Sequence, residues 1–242
     1  MRKEVLKMLP SQCGQDKLLV NDVFKEKEGG FFVDVGAHDG IYISNTAVLE
    51  KEYSWSGICI EPSQASSVIV HSRPNSKVVT CCISDEKFNN EIIKFRQYEP
   101  KELSISMFDD TESYEEKSNN YSDKYKICKT LDSVLVESGA PKDIDYISID
   151  TEGCEYRVIK DFSFNEWRVS ALTIANNLHH WTDEKKENRN NIKKLMESFG
   201  FYLFWEFTIH ELDKKNWGKK FEDGVMEDLY VNKDFIPQKN PA

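Results

Sequence analysis

Long apolar runs and an excess of basic residues are both missing from this sequence. No stretch approaches the ~20 apolar residues of a membrane-spanning helix, and the charged segment 1–10 lacks the apolar run of a signal peptide. A cytoplasmic location is therefore expected. The formal net charge is -10, whereas nucleic-acid binding is marked by basic surface. We accordingly expect neither a nucleic-acid nor a membrane partner.

Closely spaced cysteine pairs of the C-x-x-C type are also missing. The six cysteines therefore predict neither a zinc site nor a disulfide framework, and buried free thiols are expected instead. The composition is 39% hydrophobic and 12% aromatic, which argues against disorder. The length of 242 residues fits one α/β domain. We predict a single domain over 1–242 with a short helical N-terminal extension over about 1–28.

Short apolar runs alternate with helical patterns along the chain, which predicts a mostly parallel sheet covered by helices. The predicted strands are 31–35, 57–61, 77–82, 91–97, 103–108, 144–149, 169–175, 201–207 and 228–231. The predicted helices are 44–53, 63–72, 130–138, 153–162 and 183–199. Segment 109–126 is polar and contains tyrosines at 114, 121 and 125. It is interpreted as a mobile loop and a candidate active-site lid.

A glycine-bearing loop follows the first predicted strand, in the pattern Asp34-x-Gly36-x-x-x-Gly40. Glycines let the backbone turn sharply and approach a ligand closely, and ligands of open α/β sheets bind beyond the carboxyl ends of strands. The dinucleotide fingerprint G-x-G-x-x-G fails at His38 and Ile41. The spacing therefore favours adenosylmethionine over a pyrophosphate. The cofactor-binding residues predicted here are Asp34, Gly36, Ala37, His38, Asp39, Gly40 and Asn45.

Two later strand ends extend this predicted cofactor site. Glu61, followed by Pro62, ends the second strand, where a carboxylate can accept hydrogen bonds from both ribose hydroxyls. Ser84 and Asp85 follow the third strand, and Asp85 can accept from an adenine amino group. The simpler alternatives are a solvated glutamate at a strand end and an ordinary turn aspartate.

Three carboxylates crowd the end of the predicted strand 144–149, at Asp150, Glu152 and Glu155. Crowded acids raise one another's pKa, and such groups cluster at functional sites. Alternatively, Glu152 and Glu155 only stabilise the start of the following helix. We interpret Asp150 as the first candidate for a general base. His179 and His180, which follow the next strand, are the second candidates.

The ordered set of these motifs resembles the FkbM-type methyltransferase family. The resemblance covers about residues 11 to 175, in the stretches 11–16, 32–40, 44–50, 57–62, 130–133 and 145–155. It implies a Rossmann-like class I methyltransferase fold, with a mostly parallel seven-stranded sheet and helices on both faces. It also implies adenosylmethionine as methyl donor and O-methylation of sugars and natural products. One departure is Ala175-Asn176-Asn177, where the family often has an acid first.

The expected reaction is methyl transfer to a hydroxyl on a sugar, a glycan or a small natural-product-like acceptor, and a homo-oligomer is compatible with it. No dedicated metal site is predicted, although Asp150 and Asn177 are hypothetical ligands for Mg²⁺. A nicotinamide dehydrogenase is disfavoured by the glycine spacing, and an inactive binding module by the retained loop and Asp150. A protein or nucleic-acid methyltransferase stays open, although no Asn-Pro-Pro-Tyr-like motif follows the strand that ends at Asp150.

Overall fold

The computed structural model describes residues 11–98, 106–108, 121–176, 183–208 and 225–236. The strands are β1 Phe31–Val35, β2 Ser56–Ile60, β3 Ser76–Val79, β4 Cys82–Ile83, β5 Ile92–Tyr98, β6 Ser106–Phe108, β7 Tyr121–Lys129, β8 Asp143–Ile149, β9 Arg168–Ala175, β10 Phe201–Thr208 and β11 Val225–Asn232. The helices are α1 Gln15–Leu18, α2 Ala47–Tyr53, α3 Ser66–Ser72, α4 Leu131–Ser138, α5 Glu155–Lys160 and α6 Asp183–Ser198. Most predicted elements are present, with ends displaced by up to a few residues.

The main sheet has seven strands in the order β10-β11-β9-β8-β1-β2-β3. Strands β9, β8, β1, β2 and β3 run parallel, whereas β11 is antiparallel to both of its neighbours. The prediction of a mostly parallel seven-stranded sheet is therefore confirmed. The chain leaves β1 toward β2 on one side, and β8 joins on the other. This reversal of strand order creates a crevice at the carboxyl end of β1.

Two apolar cores cover the two faces of this sheet, because successive side chains of a strand point to opposite faces. In β1, Val33 and Val35 pack in one core, together with α4, α5 and α6. Phe32 lies in the other core, with α2, α3 and the N-terminal helical segment. That segment consists of α1 and a π-helical turn over Leu19–Val23. Within the described ranges, no helix is long and apolar enough to cross a bilayer.

A second, smaller sheet in the order β4-β7-β5-β6 corrects two predictions. The predicted strand 77–82 does not continue as one element, since β3 ends at Val79 and Cys82 begins β4 in the other sheet. The lid prediction is wrong for residues 121–126, which belong to β7. The strand β7 pairs with both β5 and β4, and this pairing outweighs its polar composition. The remainder of the predicted lid, 109–120, lies outside the described residues.

Candidate active site

Gly36 forms the turn where three strand ends meet. Its backbone N–H donates to the Ile60 carbonyl at 2.9 Å, and the Asp150 N–H donates to the Val35 carbonyl at 2.9 Å. Gly36 has φ 88°, and a Cβ there would lie 1.8 Å from the Asp150 carbonyl oxygen. Only glycine fits this close approach. The loop therefore lies directly beside Asp150, as the sequence predicts for a cofactor loop.

Glu61 holds the loop from the end of β2. Its Oε2 accepts from the His38 N–H at 2.9 Å, and its Oε1 accepts from the Ser63 N–H at 2.8 Å. Burial raises the pKa of Glu61, while these hydrogen bonds lower it. A carboxylate has about four lone-pair sites, so the side chain can still accept from a ribose hydroxyl beside its contacts with His38 and Ser63. Pro62 lies in the short turn between Glu61 and Ser63.

The Asp39 carboxylate accepts hydrogen bonds from the residues just after the predicted cofactor loop. Its Oδ1 accepts from the N–H groups of Ile41 and Tyr42, each at 2.8 Å. This contact closes the turn after His38, whose φ of 49° lies in the left-handed region. The structure therefore gives Asp39 a local role in shaping the predicted cofactor loop, while Ala37 donates its N–H to the Ile60 carbonyl at 3.1 Å.

Arg73 supports the same loop from behind and was missed by sequence reasoning, because no spacing motif marks it. Its side chain is fully buried and pairs with Glu50 at 2.7 Å. It also donates to the Gly40 carbonyl and to Thr46 Oγ1, each at 2.9 Å. Thr46 in turn donates to Asp34 at 2.6 Å. Burial raises the pKa of Asp34, and the Arg73 charge opposes that shift.

Ser84 and Asp85 present unmatched polar atoms after β4. Both side chains are buried, and among the described residues neither Ser84 Oγ nor Asp85 Oδ1 has a hydrogen-bond partner. The other oxygen of Asp85 pairs with Lys160 Nζ at 2.6 Å. Buried polar atoms are normally satisfied, so these atoms fit a ligand group such as an adenine amino group.

Asp150, Glu152 and Glu155 come together as predicted, with different surroundings. Glu155 accepts from the N–H groups of Thr151 and Gly153, each at 3.0 Å, so it anchors the turn at the start of α5. Burial and the neighbouring Glu155 raise the pKa of Glu152 to about 7. Burial, then Glu152 and Glu155, hold the pKa of Asp150 well above its usual range. The pKa values of Asp150 and Glu152 are thus both raised, by burial and by their acidic neighbours.

Glu227 is a further buried acid at this edge and was also missed. It lies opposite Ala175 in the pairing of β11 with β9, and burial raises its pKa to about 7. Asn45 reaches it from the segment before α2, donating to its Oε1 at 3.0 Å. The sequence signal was weak, since Glu227 lies in a short acidic run that resembles a solvated strand end.

Several predicted positions cannot be placed in this site. His179, His180 and Asn177 lie outside the described residues. In the described part of the chain, no three His, Cys, Asp or Glu side chains are grouped so as to hold a metal ion. The hypothesis of Mg²⁺ bound by Asp150 and Asn177 therefore gains no support.

Solved structures with a similar fold include proteins named as methyltransferases. One is a provisionally assigned O-methyltransferase from Klebsiella pneumoniae, with TM-score 0.51 and 12% identity, covering 93% of this chain and 84% of that one. Another is cofactor-bound Rv0187 from MTB, with TM-score 0.50 and 9% identity, covering 93% and 82%. A third is precorrin-6y C5,15-methyltransferase from Geobacter metallireducens GS-15, with TM-score 0.46 and 10% identity, covering 93% and 90%. No curated protein sequence gives a significant match.

The fold is that of class I methyltransferases, and the family model identifies an adenosylmethionine-dependent methyltransferase. The family model for the methyltransferase FkbM domain matches residues 34–203, which is more than half of the chain. The protein belongs to the FkbM methyltransferase family.

Proposed function

We propose that the protein transfers a methyl group from adenosylmethionine to a hydroxyl oxygen of a sugar, a glycan or a small natural-product-like acceptor. The observation that carries the proposal is the position of Asp150 beside the glycine loop. The Gly36 turn packs against the Asp150 backbone, and the perturbed Asp150 carboxyl stands at the end of β8. A group that can take a proton from a hydroxyl is thereby placed next to the predicted cofactor pocket.

The residues that would hold the cofactor are present and fit it. Glu61 offers acceptors for ribose, and Ser84 with Asp85 offers unmatched polar atoms for adenine. The backbone from Gly36 to Gly40 turns at the carboxyl end of β1, where ligands of such sheets bind. When bound, adenosylmethionine supplies a methyl carbon made electrophilic by its sulfonium.

Asp150 is the proposed general base. Burial among other carboxyl groups raises its pKa, which makes it a stronger base once it is ionised. A positioned base contributes about 10²–10⁴-fold to a rate. Alignment of the acceptor oxygen with the methyl carbon contributes the larger share. The acidic balance of the chain, -10, supports a neutral or sugar-like acceptor over a nucleic acid.

The test is a transfer assay with a labelled methyl donor and a panel of sugars, glycans and phenolic or polyketide hydroxyl compounds. We expect Asp150→Asn to lower kcat by about 10²–10⁴-fold while adenosylhomocysteine binding stays within about threefold of wild type. The matched control is Asp183→Asn, because the Asp183 side chain is exposed at the start of α6.

Two results would contradict the proposal. Full turnover by Asp150→Asn would remove Asp150 as the base. Label found on nitrogen or carbon of the product would replace oxygen as the acceptor atom. A parallel assay after chelator treatment addresses Mg²⁺, since full activity without divalent metal would exclude a metal-assisted reaction.

A further inference from the structure

Glu227 places a carboxylate where β9 provides none. The end of β9 carries Ala175, and Glu227 on β11 is its partner in the antiparallel ladder. The Glu227 side chain is only 4% exposed. It lies close enough to Asp150 for the two like charges to interact. Glu227 is therefore a buried acid at the carboxyl edge of the sheet, where ligands bind.

Glu227 has a hydrogen bond with Thr173 on the neighbouring strand, and two further ones come from distant parts of the chain. Asn45 Nδ2 donates to Oε1 at 3.0 Å, and Gln15 Nε2 donates to Oε2. Gln15 is itself oriented, because its Oε1 accepts from the Cys13 N–H at 2.7 Å. Glu227 thus ties the N-terminal segment and the start of α2 to the edge of the main sheet.

The contact with Glu227 also fixes the orientation of the Asn45 amide. An ionised carboxylate can only accept, so the amide nitrogen faces Glu227, and it also donates to Ser148 Oγ at 3.1 Å. Asn45 Oδ1 is left buried, with no hydrogen-bond donor among the described residues. Asn176, one residue beyond Ala175, likewise has a buried Nδ2 without a partner in the described part of the chain. Asn45 Oδ1 is therefore a buried acceptor at this edge that a donor group of a ligand could satisfy.

The charges around Asn45 favour a cation. Asp34, Asp150 and Glu227 interact electrostatically at this edge. The buried cation Arg73 pairs with Glu50 and offsets only part of the charge of Asp34. Buried charges are stable when they are compensated. A ligand that is both a hydrogen-bond donor and positively charged would satisfy Asn45 Oδ1 and offset this excess of acid.

We propose that Asn45, held in place by Glu227, recognises the α-ammonium group on the amino-acid arm of adenosylmethionine. Asn45 Oδ1 accepts a hydrogen bond from the ammonium, and Glu227 acts as a positioning residue and a nearby negative charge. This inference rests on the proposed function, because it assigns one end of the same cofactor site. Glu61 and Asp85 would hold the ribose and the adenine of the same cofactor.

Calorimetric binding of two ligands tests the inference without any turnover. One ligand is adenosylhomocysteine, and the other is its desamino analogue, which keeps the carboxylate but has hydrogen in place of the amino group. Wild type should bind the desamino analogue at least about tenfold more weakly, as expected for losing a charged hydrogen bond. In Asn45→Ala and Glu227→Gln this preference should fall to about twofold or less. Such a cycle isolates the interaction between a side chain and a ligand group.

Two further variants separate this subsite from general damage. Asp85→Asn acts at the adenine end and should weaken both ligands equally. Glu166→Gln is a matched change at an exposed glutamate and should leave both affinities unchanged. A wild-type level of discrimination in Glu227→Gln and Asn45→Ala would overturn the inference, and so would an equal loss of both ligands. If wild type binds neither ligand, the proposed function itself fails.

Discussion

The carboxyl groups on the two sides of the candidate site have different surroundings. On the side of β1 and β2, Glu61 accepts from two backbone N–H groups and Glu50 pairs with Arg73. On the side of β8 and β11, Asp150 interacts with both Glu152 and Glu227, and burial raises the pKa of all three. The first side is a scaffold whose carboxylates have hydrogen-bonding or ionic partners within the protein. On the second side, neighbouring carboxyl groups raise the pKa of Asp150.

Under the proposed function, this difference separates the part of the site that folding builds from the part that a ligand would complete. The loop from Gly36 to Gly40 is held by protein contacts alone. The acids of the other side are costly to ionise in isolation. A positively charged ligand, or the uptake of a proton, would offset this cost.

The largest expected effect comes from replacing Arg73, on the side of β1 and β2. Replacing it in Arg73→Met leaves Glu50 buried without its cation. We expect the free energy of unfolding to fall by about 3–5 kcal/mol, with weaker adenosylhomocysteine binding because the Gly40 carbonyl loses its donor. Chemical denaturation and calorimetry measure the two effects. The control is Arg168→Met, an exposed pair with Asp143, which should unfold like wild type. Equal behaviour of both variants would contradict a scaffold role.

Gly36→Ala should also destabilise the protein, because Gly36 lies against the Asp150 backbone, where the two sides of the site are in contact. The new Cβ would lie 1.8 Å from the Asp150 carbonyl oxygen, and the residue has φ 88°. Strain and overpacking together should lower the free energy of unfolding by about 2–5 kcal/mol. Gly139→Ala is the control, because Gly139 has φ 69° but open space around its Cα, so about 1–2 kcal/mol is expected there. Equal losses measured by denaturation would rule out the close approach as the cause.

The raised pKa values on the side of β8 and β11 should make the stability of the protein depend on pH. Burial raises the pKa of Glu152 and Glu227 from 4.5 to about 7. The folded state therefore binds more protons than the unfolded state between these values, and stability is lost as pH rises through them. The two groups should each lower the free energy of unfolding by on the order of 2 kcal/mol between pH 5 and pH 8.

Denaturation curves at pH 5 and pH 8 measure this loss, and Glu227→Gln should reduce it. Glu166→Gln should keep the wild-type slope, since Glu166 is exposed. The pKa values of Asp123 and Asp143 are lowered from 3.8 by their partners Arg96 and Arg168, so both groups titrate below this window. Stability that rises from pH 5 to pH 8 would contradict this prediction, because it would mean that folding does not raise the pKa of these carboxyl groups.

Local patterns alone were sufficient for the parallel sheet and its glycine loop. Alternating apolar runs predicted β1, β2, β8 and β9 because buried parallel strands need continuous apolar stretches. Gly36 and Asp150 were recognisable because glycine spacing and strand-end acids are local in the sequence. Predictions failed where pairing is distant, as in β7, whose polar residues are held by β5 and β4.

By itself, the sequence determined that strand ends bearing Gly36, Glu61 and Asp150 would meet at one edge, since parallel strands share their carboxyl ends. Only the tertiary structure decided that Arg73 would lie under the loop and that Glu227 would stand opposite Ala175. Glu227 lies 212 residues from Gln15 along the chain. No local periodicity encodes such a contact, because it depends on which strand enters the sheet beside β9 and in which register.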